Sequence, residues 1–310
     1  MHEQPEPTPI APIPVAFARV TPVSSPMLAP PVVYRSTARR RVMLSAVVLG
    51  VLIVSAVGAP WLAPYNPFVQ PDIVALKSLP PSWAHPFGTD TYSRDVLSRV
   101  MYGARVSLSI ATVATIVSMV FGTAYGAIAG YAGGWIDTAM MRIVDVLLAI
   151  PRVLVLIAIA ALWQTLPLSV LTLIIGVTGW LGVSRLVRGQ VRSLSSREFI
   201  VAARALGANH QRVIIRHVLP NVLHTVVVAA TLGIGQVIVL EAGLSYLGLG
   251  VQPPGASWGN IIQDGADQMN TLWWISVFPG LMIVITVIAC NALGEAMTEL
   301  FNRRTTVKIS

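Results

Sequence analysis

The chain has 310 residues, of which 55 % are apolar and only 11 % are charged, and its mean hydropathy is +0.71. Soluble domains carry about a quarter charged residues, so this composition excludes a soluble globular protein and predicts a chain largely covered by lipid. The formal charge is +8, but the arginines cluster at the ends of apolar runs, as in membrane topology and not as in a nucleic-acid groove.

Six apolar runs are long enough to cross a bilayer as helices, which takes about 20 residues. They predict an all-α membrane protein with six transmembrane helices. The runs are 42–62, 106–132, 137–163, 168–186, 221–248 and 272–293. The third run contains Arg142, Asp145 and Arg152; the first two are expected to pair on one helix face, and Pro151 predicts a kink. The sequence assigns no role to Arg152.

Basic residues accumulate in three regions: before the first run, between the fourth and fifth runs, and after the sixth. With six spans these regions share one side, which the positive-inside rule makes the cytoplasm. They are Arg19, Arg35, Arg39, Arg40 and Arg41; Arg185, Arg188, Arg192, Arg197, Arg204, Arg212 and Arg216; and Arg303, Arg304 and Lys308. Both termini are therefore predicted to be cytoplasmic.

Residues 1–41 differ in composition from the rest of the chain. Nine prolines and two early acids within residues 1–34 predict a disordered cytoplasmic tail, which ends in a basic segment. The tail opens with acids and lacks an apolar core, so it is not a signal peptide. It is interpreted as an inert extension, with docking of a partner as the alternative.

The stretch at 194–220 predicts a short helix, a turn, a second amphipathic helix and a new span. Gly207 can adopt the left-handed conformation that ends a helix, and Pro220 is tolerated where the next span begins. The small residues Ala202 and Ala203 allow another protein to approach the backbone closely. The two short basic helices either form a protruding element that binds another protein or lie on the lipid surface.

Two features inside the spans stand out. Gly122, Gly126 and Gly130 repeat every four residues and predict a helix-packing strip, facing either this subunit or a second one. Glu241 is an intramembrane acid that either faces a translocation pathway or is neutralised by a neighbouring helix. A structural or gating role is favoured for it over substrate chemistry.

Several site types find little support. The single Cys290 excludes an internal disulfide and a multi-thiol metal site. His210, His217 and His224 recur every seven residues, but Pro220 falls between the last two, so solvated or hydrogen-bonded histidines are favoured over a metal ladder. No glycine–lysine pair of a phosphate-binding loop occurs. The chain is therefore expected to be no enzyme and to bind no cofactor.

The 194–220 stretch resembles the Glu-Ala-Ala loop of type I ABC importer permeases, matching at Ala202, Ala203, Gly207, Leu219 and Pro220. In that family the loop forms a coupling helix that sits in a cleft of the ATPase subunit. Val201 stands where the family has its glutamate, and Glu198 lies one helical turn earlier. The resemblance assigns coupling to the ATPase to the following residues: Val201, Ala202, Ala203, Arg204, Gly207, Leu219 and Pro220.

Two further segments, 85–108 and 241–259, are similar to dipeptide and oligopeptide permeases of the "C" type, although Ser93 replaces a usual glycine. The resemblance implies the type I importer transmembrane fold in the inner (plasma) membrane of a prokaryote. The implied organisation is a first helix at 42–62, an extracytoplasmic loop at 63–105, a core permease domain at 106–296 and a cytoplasmic tail at 297–310.

The implied function is half of a translocation pathway for small peptides. The implied partners are a second permease of similar fold, two ATPase subunits or domains that hold ATP and Mg, and an extracytoplasmic binding protein. Import of nickel, haem or another small solute by the same machinery is the alternative. An ion-coupled secondary transporter is a more distant one, for which only Glu241 is suitably placed.

Overall fold

The computed structural model describes residues 35–163 and 166–306. Within these residues the regular structure is helical, apart from one isolated antiparallel bridge between Thr89 and Asp95. The all-α prediction is therefore confirmed. The proline-rich segment at 1–34 and the last four residues lie outside the described part of the chain.

The helices follow one another along the chain with short connections, except for two longer loops at 63–95 and 247–257. Their bounds are α1 Arg35–Val57, α2 Ala59–Leu62, α3 Val96–Ala132, α4 Gly134–Leu148, α5 Arg152–Ala160, α6 Leu168–Ser195, α7 Glu198–Ala205, α8 His210–Val213, a π-helix Ile214–Val218, α9 Leu219–Tyr246, α10 Trp258–Ala266 and α11 Trp273–Thr306.

Five of the predicted runs are helices long and apolar enough to cross a membrane, namely those in α1, α3, α6, α9 and α11. Several extend beyond the predicted bounds. Helix α3 begins at Val96 instead of 106 and has 37 residues, which at 1.5 Å per residue far exceeds a hydrocarbon core of about 30 Å. Its first turns therefore project from the membrane. Helix α1 likewise starts at Arg35, and α11 continues through Thr306.

The third run is broken into α4 and α5, whose axes bend by 68°, and the pair makes a sixth span if it is counted as one. Pro151 lies between them in an extended conformation, because its ring and missing N–H are incompatible with a continuous helix. The kink predicted there is thus a complete break. The expected pairing of Asp145 is not the one observed: its carboxylate contacts Arg185 of α6, and not Arg142.

The glycine strip of α3 packs against α6 of the same chain. A Cβ atom at Gly122 would lie 2.6 Å from Val183 Cβ, and one at Gly130 would lie 2.8 Å from the Arg188 carbonyl oxygen. At Gly126 an added Cβ would collide with the Ser184 carbonyl oxygen. The two backbones therefore touch along about three helical turns, which only residues without a side chain allow.

A buried charge cluster joins the loop before α3 to α10. We define it as Asp90, Arg94, Arg99 and Asp264. Asp90 Oδ2 accepts from Arg94 Nε at 2.6 Å and from Arg99 Nη1 at 2.7 Å. Asp264 Oδ2 lies 3.1 Å from Arg94 Nη2 and 2.7 Å from Arg99 Nη1. The two carboxylates balance the two guanidinium groups, so charges that the sequence places in separate loops neutralise one another.

Aromatic contacts support the same end of the bundle. Trp274 Nε1 donates to the Thr89 carbonyl at 3.0 Å, and Trp258 Nε1 donates to the Val100 carbonyl at 3.1 Å. Phe87 stacks on Phe278 with ring centroids 3.9 Å apart. The loop before α3 is thus fixed to both α10 and α11, and this end forms one packed unit.

We expect Gly126→Ala to lower the melting temperature of the purified protein, because the added methyl group overpacks the α3–α6 contact, at a cost of ~1–3 kcal/mol. Gly189→Ala in α6 is the matched control, since no atom lies within 4 Å of a Cβ built there. Thermal unfolding followed by tryptophan fluorescence measures both variants. Equal melting temperatures for the two would show that the helices do not touch at Gly126.

We expect Asp90→Asn to destabilise the protein strongly, because it leaves two buried guanidinium groups with one carboxylate. Removing one partner of a buried ion pair costs about 3–5 kcal/mol. Asp264→Asn should cost less, because the Asp264 side chain is 25 % exposed whereas that of Asp90 is fully buried. Asp267→Asn, at an exposed position just after α10, is the control. The same thermal assay measures all three variants, and equal melting temperatures would contradict the charge cluster.

Candidate functional site

The segment at 194–220, which is predicted to couple to an ATPase and is called the coupling loop below, is attached to the bundle by an apolar anchor. Ile200 of α7, Val213 of α8 and Val218 of the π-helix are each fully buried. They belong to one core cluster together with Ala127 of α3 and Val187 and Val191 of α6. The loop therefore cannot move freely, and a displacement of α7 displaces the α3–α6 pair with it.

The exposed residues of α7 and of the turn that follows it are mostly apolar, apart from Glu198 at the start of the helix. Leu206 is 89 % exposed, Val201 54 % and Phe199 45 %. The small residues Ala202 and Ala203 lie between them, exposed and half-buried respectively. Arg204 lies in the same helix. A helix whose buried side is anchored and whose exposed side is apolar has the composition of a protein–protein contact.

Gly207 forms the turn after α7 in a left-handed conformation, with φ of +81°. The turn is closed by a hydrogen bond from the Ala208 N–H to the Ala203 carbonyl at 3.0 Å. Asn209 then caps α8 by accepting from the Gln211 N–H at 2.7 Å. No atom lies within 4 Å of a Cβ built at Gly207, so the backbone angle and not space requires glycine here.

Pro220 was expected to open a new span. It lies in the first turn of α9, as expected, and the preceding helical turns from His210 continue into α9 without a gap. The π-helix Ile214–Val218 precedes it. A π turn supplies the extra room that a proline ring needs against the preceding turn. The Asn221 side-chain amide donates to the His217 carbonyl at 2.6 Å, and Leu219 is the first residue of α9.

The three spaced histidines have different surroundings. His210 Nδ1 lies 3.1 Å from the Tyr131 hydroxyl, and the His224 ring packs against Phe301. His217 borders a shallow groove beside α7. The structure therefore does not bring the three rings together.

Glu241 lies at the centre of a buried hydrogen-bond cluster. Its carboxylate accepts from Ser107 Oγ of α3 at 2.9 Å and from Ser245 Oγ, one turn along α9, at 2.7 Å. Ser245 Oγ also accepts from the Val251 N–H, and Ser107 Oγ accepts from the Trp258 N–H at 3.3 Å. The side chain thus ties α3, α9 and α10 together. A gating role for it stays a prediction.

A cavity of about 230 Å³ lies between α3, α5, α6 and α9, deep within the spans. Its polar lining includes Arg152, Thr115, Ser118 and Gln236. The sequence singled out Arg152 without a role. Thr115 and Gln236 were missed, because each is an isolated polar residue in a long apolar run; uncharged polar residues inside spans were the available signal.

Comparison with known proteins gives a consistent result. The family model described as "Binding-protein-dependent transport system inner membrane component" matches residues 118–307, and "N-terminal TM domain of oligopeptide transport permease C" matches residues 33–81. A solved structure of the MetNI methionine ABC transporter in inward-facing form has a TM-score of 0.47 and 18 % identity, covering 65 % of this chain and 97 % of that one.

Curated relatives match over most of their length. The dipeptide transport system permease protein DppC of Bacillus subtilis is 39 % identical over 83 % of this chain and 80 % of its own. The oligopeptide transport system permease protein OppC of Haemophilus influenzae is 36 % identical over 82 % of each chain. A putative peptide permease protein of Brucella suis is 37 % identical over 86 % of this chain and 87 % of its own. The chain therefore belongs to the family of binding-protein-dependent transport system inner membrane components, as a multi-pass permease subunit.

Proposed function

We propose that this chain forms half of the translocation pathway of an ATP-driven importer of small peptides. The observation that carries the proposal is the coupling loop, which is anchored to α3 and α6 by buried residues and presents an exposed apolar face. The peptide substrate is supported by the relatives, which are named as dipeptide, oligopeptide and putative peptide permeases.

The implied complex contains a second permease of similar fold, two ATPase subunits or domains, and an extracytoplasmic binding protein. ATP and Mg bind to the ATPases, and this chain hydrolyses nothing. The coupling loop then lies on the cytoplasmic side, together with both termini, which the arginine distribution supports. A carboxy-terminal fluorescent protein that folds only in the cytoplasm tests this orientation directly.

Transport follows from rigid-body motion. When ATP closes the ATPases, they draw the two coupling loops together. Because Ile200, Val213 and Val218 are packed against α3 and α6, the whole α3–α6 pair moves with its loop. The two permeases rotate and open the pathway outward, so that solute passes from the binding protein into the space between them.

Val201 makes the contact with the ATPase mainly apolar. The exposed valine cannot form the polar contact that the family's glutamate makes, and Glu198 lies one turn away at the start of α7. Burial of Val201, Phe199 and Leu206 against the ATPase supplies the attachment instead, at about 25 cal/mol per Å² of apolar surface.

We expect Gly207→Val to abolish ATP-driven uptake in proteoliposomes that contain the whole complex and loaded binding protein. A β-branched residue is strained at φ of +81°, whereas asparagine tolerates the left-handed region. Gly207→Asn should therefore retain most of the ATP hydrolysis and uptake. Membrane insertion should be unchanged in both. Full transport by Gly207→Val would falsify the role of this turn, and uptake by this chain alone along an ion gradient would overturn the proposed function.

We expect Leu206→Ser to weaken co-purification of the ATPase by at least tenfold, since the contact then loses a buried leucine side chain, which contributes about 1.5–3 kcal/mol. Val74→Ser is matched in exposure, at 93 % against 89 %, and lies in the loop at the other end of the bundle. It should leave co-purification unchanged. Equal retention of the ATPase by both variants would place the docking face elsewhere.

A further inference from the structure

We propose that the cavity beside Arg152 is a binding site for a carboxylate of the transported solute, such as the carboxy-terminal group of a peptide. This inference rests on the proposed function and adds to it a point of recognition inside the permease.

Arg152 is held in place by α6. It is the first residue of α5, after the break at Pro151. Its Nε donates to Thr178 Oγ1 at 3.1 Å, and its Nη2 donates to the Ile175 carbonyl at 2.5 Å. A guanidinium group has five N–H donors, so these two bonds orient the group and leave donors for a ligand.

The charge of Arg152 has no carboxylate partner within ion-pair distance in the described part of the chain. Two other arginines of the bundle do have one: Arg188 makes a bidentate pair with Asp137, at 2.5 and 2.6 Å, and Arg99 contacts Asp90 and Asp264. A cation inside the membrane is costly unless an anion accompanies it. Arg152 therefore requires an anion that this chain's described residues do not supply.

Thr115 provides an independent sign of a ligand. Thr115 is 3 % exposed and lines the same cavity. Its hydroxyl has no hydrogen-bond partner among the described residues. Thr172, Thr178 and Thr286 each donate to the carbonyl four residues earlier in their helices, whereas Thr115 shares its lack of a partner with Thr123, which does not line the cavity. A buried hydroxyl without a partner is destabilising, so a polar group entering the cavity would stabilise Thr115 and Arg152 together.

The cavity has the size of a subsite and lies at depth. Its volume of about 230 Å³ accommodates a carboxylate and a few adjoining atoms, and is below the ~300–1,000 Å³ of pockets that enclose a whole ligand. Thr115, Thr178 and Gln236 lie in the interior of α3, α6 and α9. Gly179 makes room for the guanidinium, because a Cβ there would lie 3.0 Å from Arg152 Nη2.

The donor set selects an anion. The guanidinium fork matches the two oxygens of a carboxylate, and Thr115 and the amide of Gln236 add neutral donors. A bare metal cation would be repelled. Because Arg152 is partly committed to α6, the affinity is modest, which allows the solute to leave again.

The test compares a peptide with its carboxy-terminal amide, after calorimetry has established that the binding protein captures both. Uptake of each is measured in the reconstituted complex with wild type, Arg152→Gln and Arg152→Lys. We expect Arg152→Gln to reduce uptake of the free peptide about tenfold, as loss of a charged hydrogen bond predicts, and uptake of the amide less than twofold. Arg152→Lys should recover part of the loss. Each variant's uptake is divided by wild-type uptake of the same compound, so any preference of the binding protein for the peptide or the amide cancels.

Thr115→Val removes the hydroxyl with little change of shape and should reduce free-peptide uptake in the same selective way, about threefold. Arg142→Gln, at an exposed position of α4, is the control and should leave both ratios at one. Equal losses of peptide and amide in Arg152→Gln would overturn the inference and indicate that Arg152 pairs with a carboxylate of the second permease. Unchanged uptake of both would also overturn it.

A binding measurement separates this inference from the proposed function. N-acetylalanine and its amide are added at millimolar concentration to the purified complex, and the melting temperature is recorded. If N-acetylalanine raises the melting temperature, its amide does not, and Arg152→Gln abolishes the effect, the site is supported. If wild type then transports no peptide, only the proposed function fails. No difference between carboxylate and amide on wild type would overturn the site while leaving peptide transport to be judged by uptake.

Discussion

The backbone contact between α3 and α6 is the constraint on which the rest of the structure depends. Gly122, Gly126 and Gly130 let the two helices touch along their length, and in lipid such close packing is what holds helices together, because burial from water contributes little. The coupling loop is anchored on this pair at one end. The polar cavity lies between the same pair, α5 and α9. A looser contact would leave both sites without a rigid support.

The two ends of the bundle are stabilised by different interactions, apolar packing at one end and ion pairs with hydrogen bonds at the other. At the coupling-loop end, aliphatic side chains from α3, α6, α7 and α9 form the anchor. At the other end, the charge cluster and the Glu241 hydrogen bonds join segments far apart in sequence. Buried charges specify one arrangement of their partners, whereas apolar contacts tolerate sliding. The coupling-loop end is therefore held by the interaction that fixes geometry less strictly.

Much of the fold follows from sequence, because a run of about 20 apolar residues is a chemical requirement of the bilayer. Five spans, an interruption at Pro151 and the turn at Gly207 were all predictable from local residue properties, although the predicted kink at Pro151 is a complete break. The early start of α3 was not, since Arg99 is neutralised by Asp264, which is remote in sequence. The partner of Asp145 and the shared cavity of Arg152, Thr115 and Gln236 depend on which helices become neighbours. These pairings depend on the tertiary structure, and no local sequence pattern predicts them.

The π-helix before Pro220 has a consequence for how the loop is aimed. One extra residue in a helical turn rotates everything on its amino-terminal side by about 100° relative to an uninterrupted α-helix, because each residue accounts for that angle. Residues 214–218 thus determine how α8 is rotated about the helix axis relative to α9. Through the turn at Gly207 they also affect the direction of α7. The π-helix before Pro220 thus helps to determine the direction in which the exposed face of α7 points.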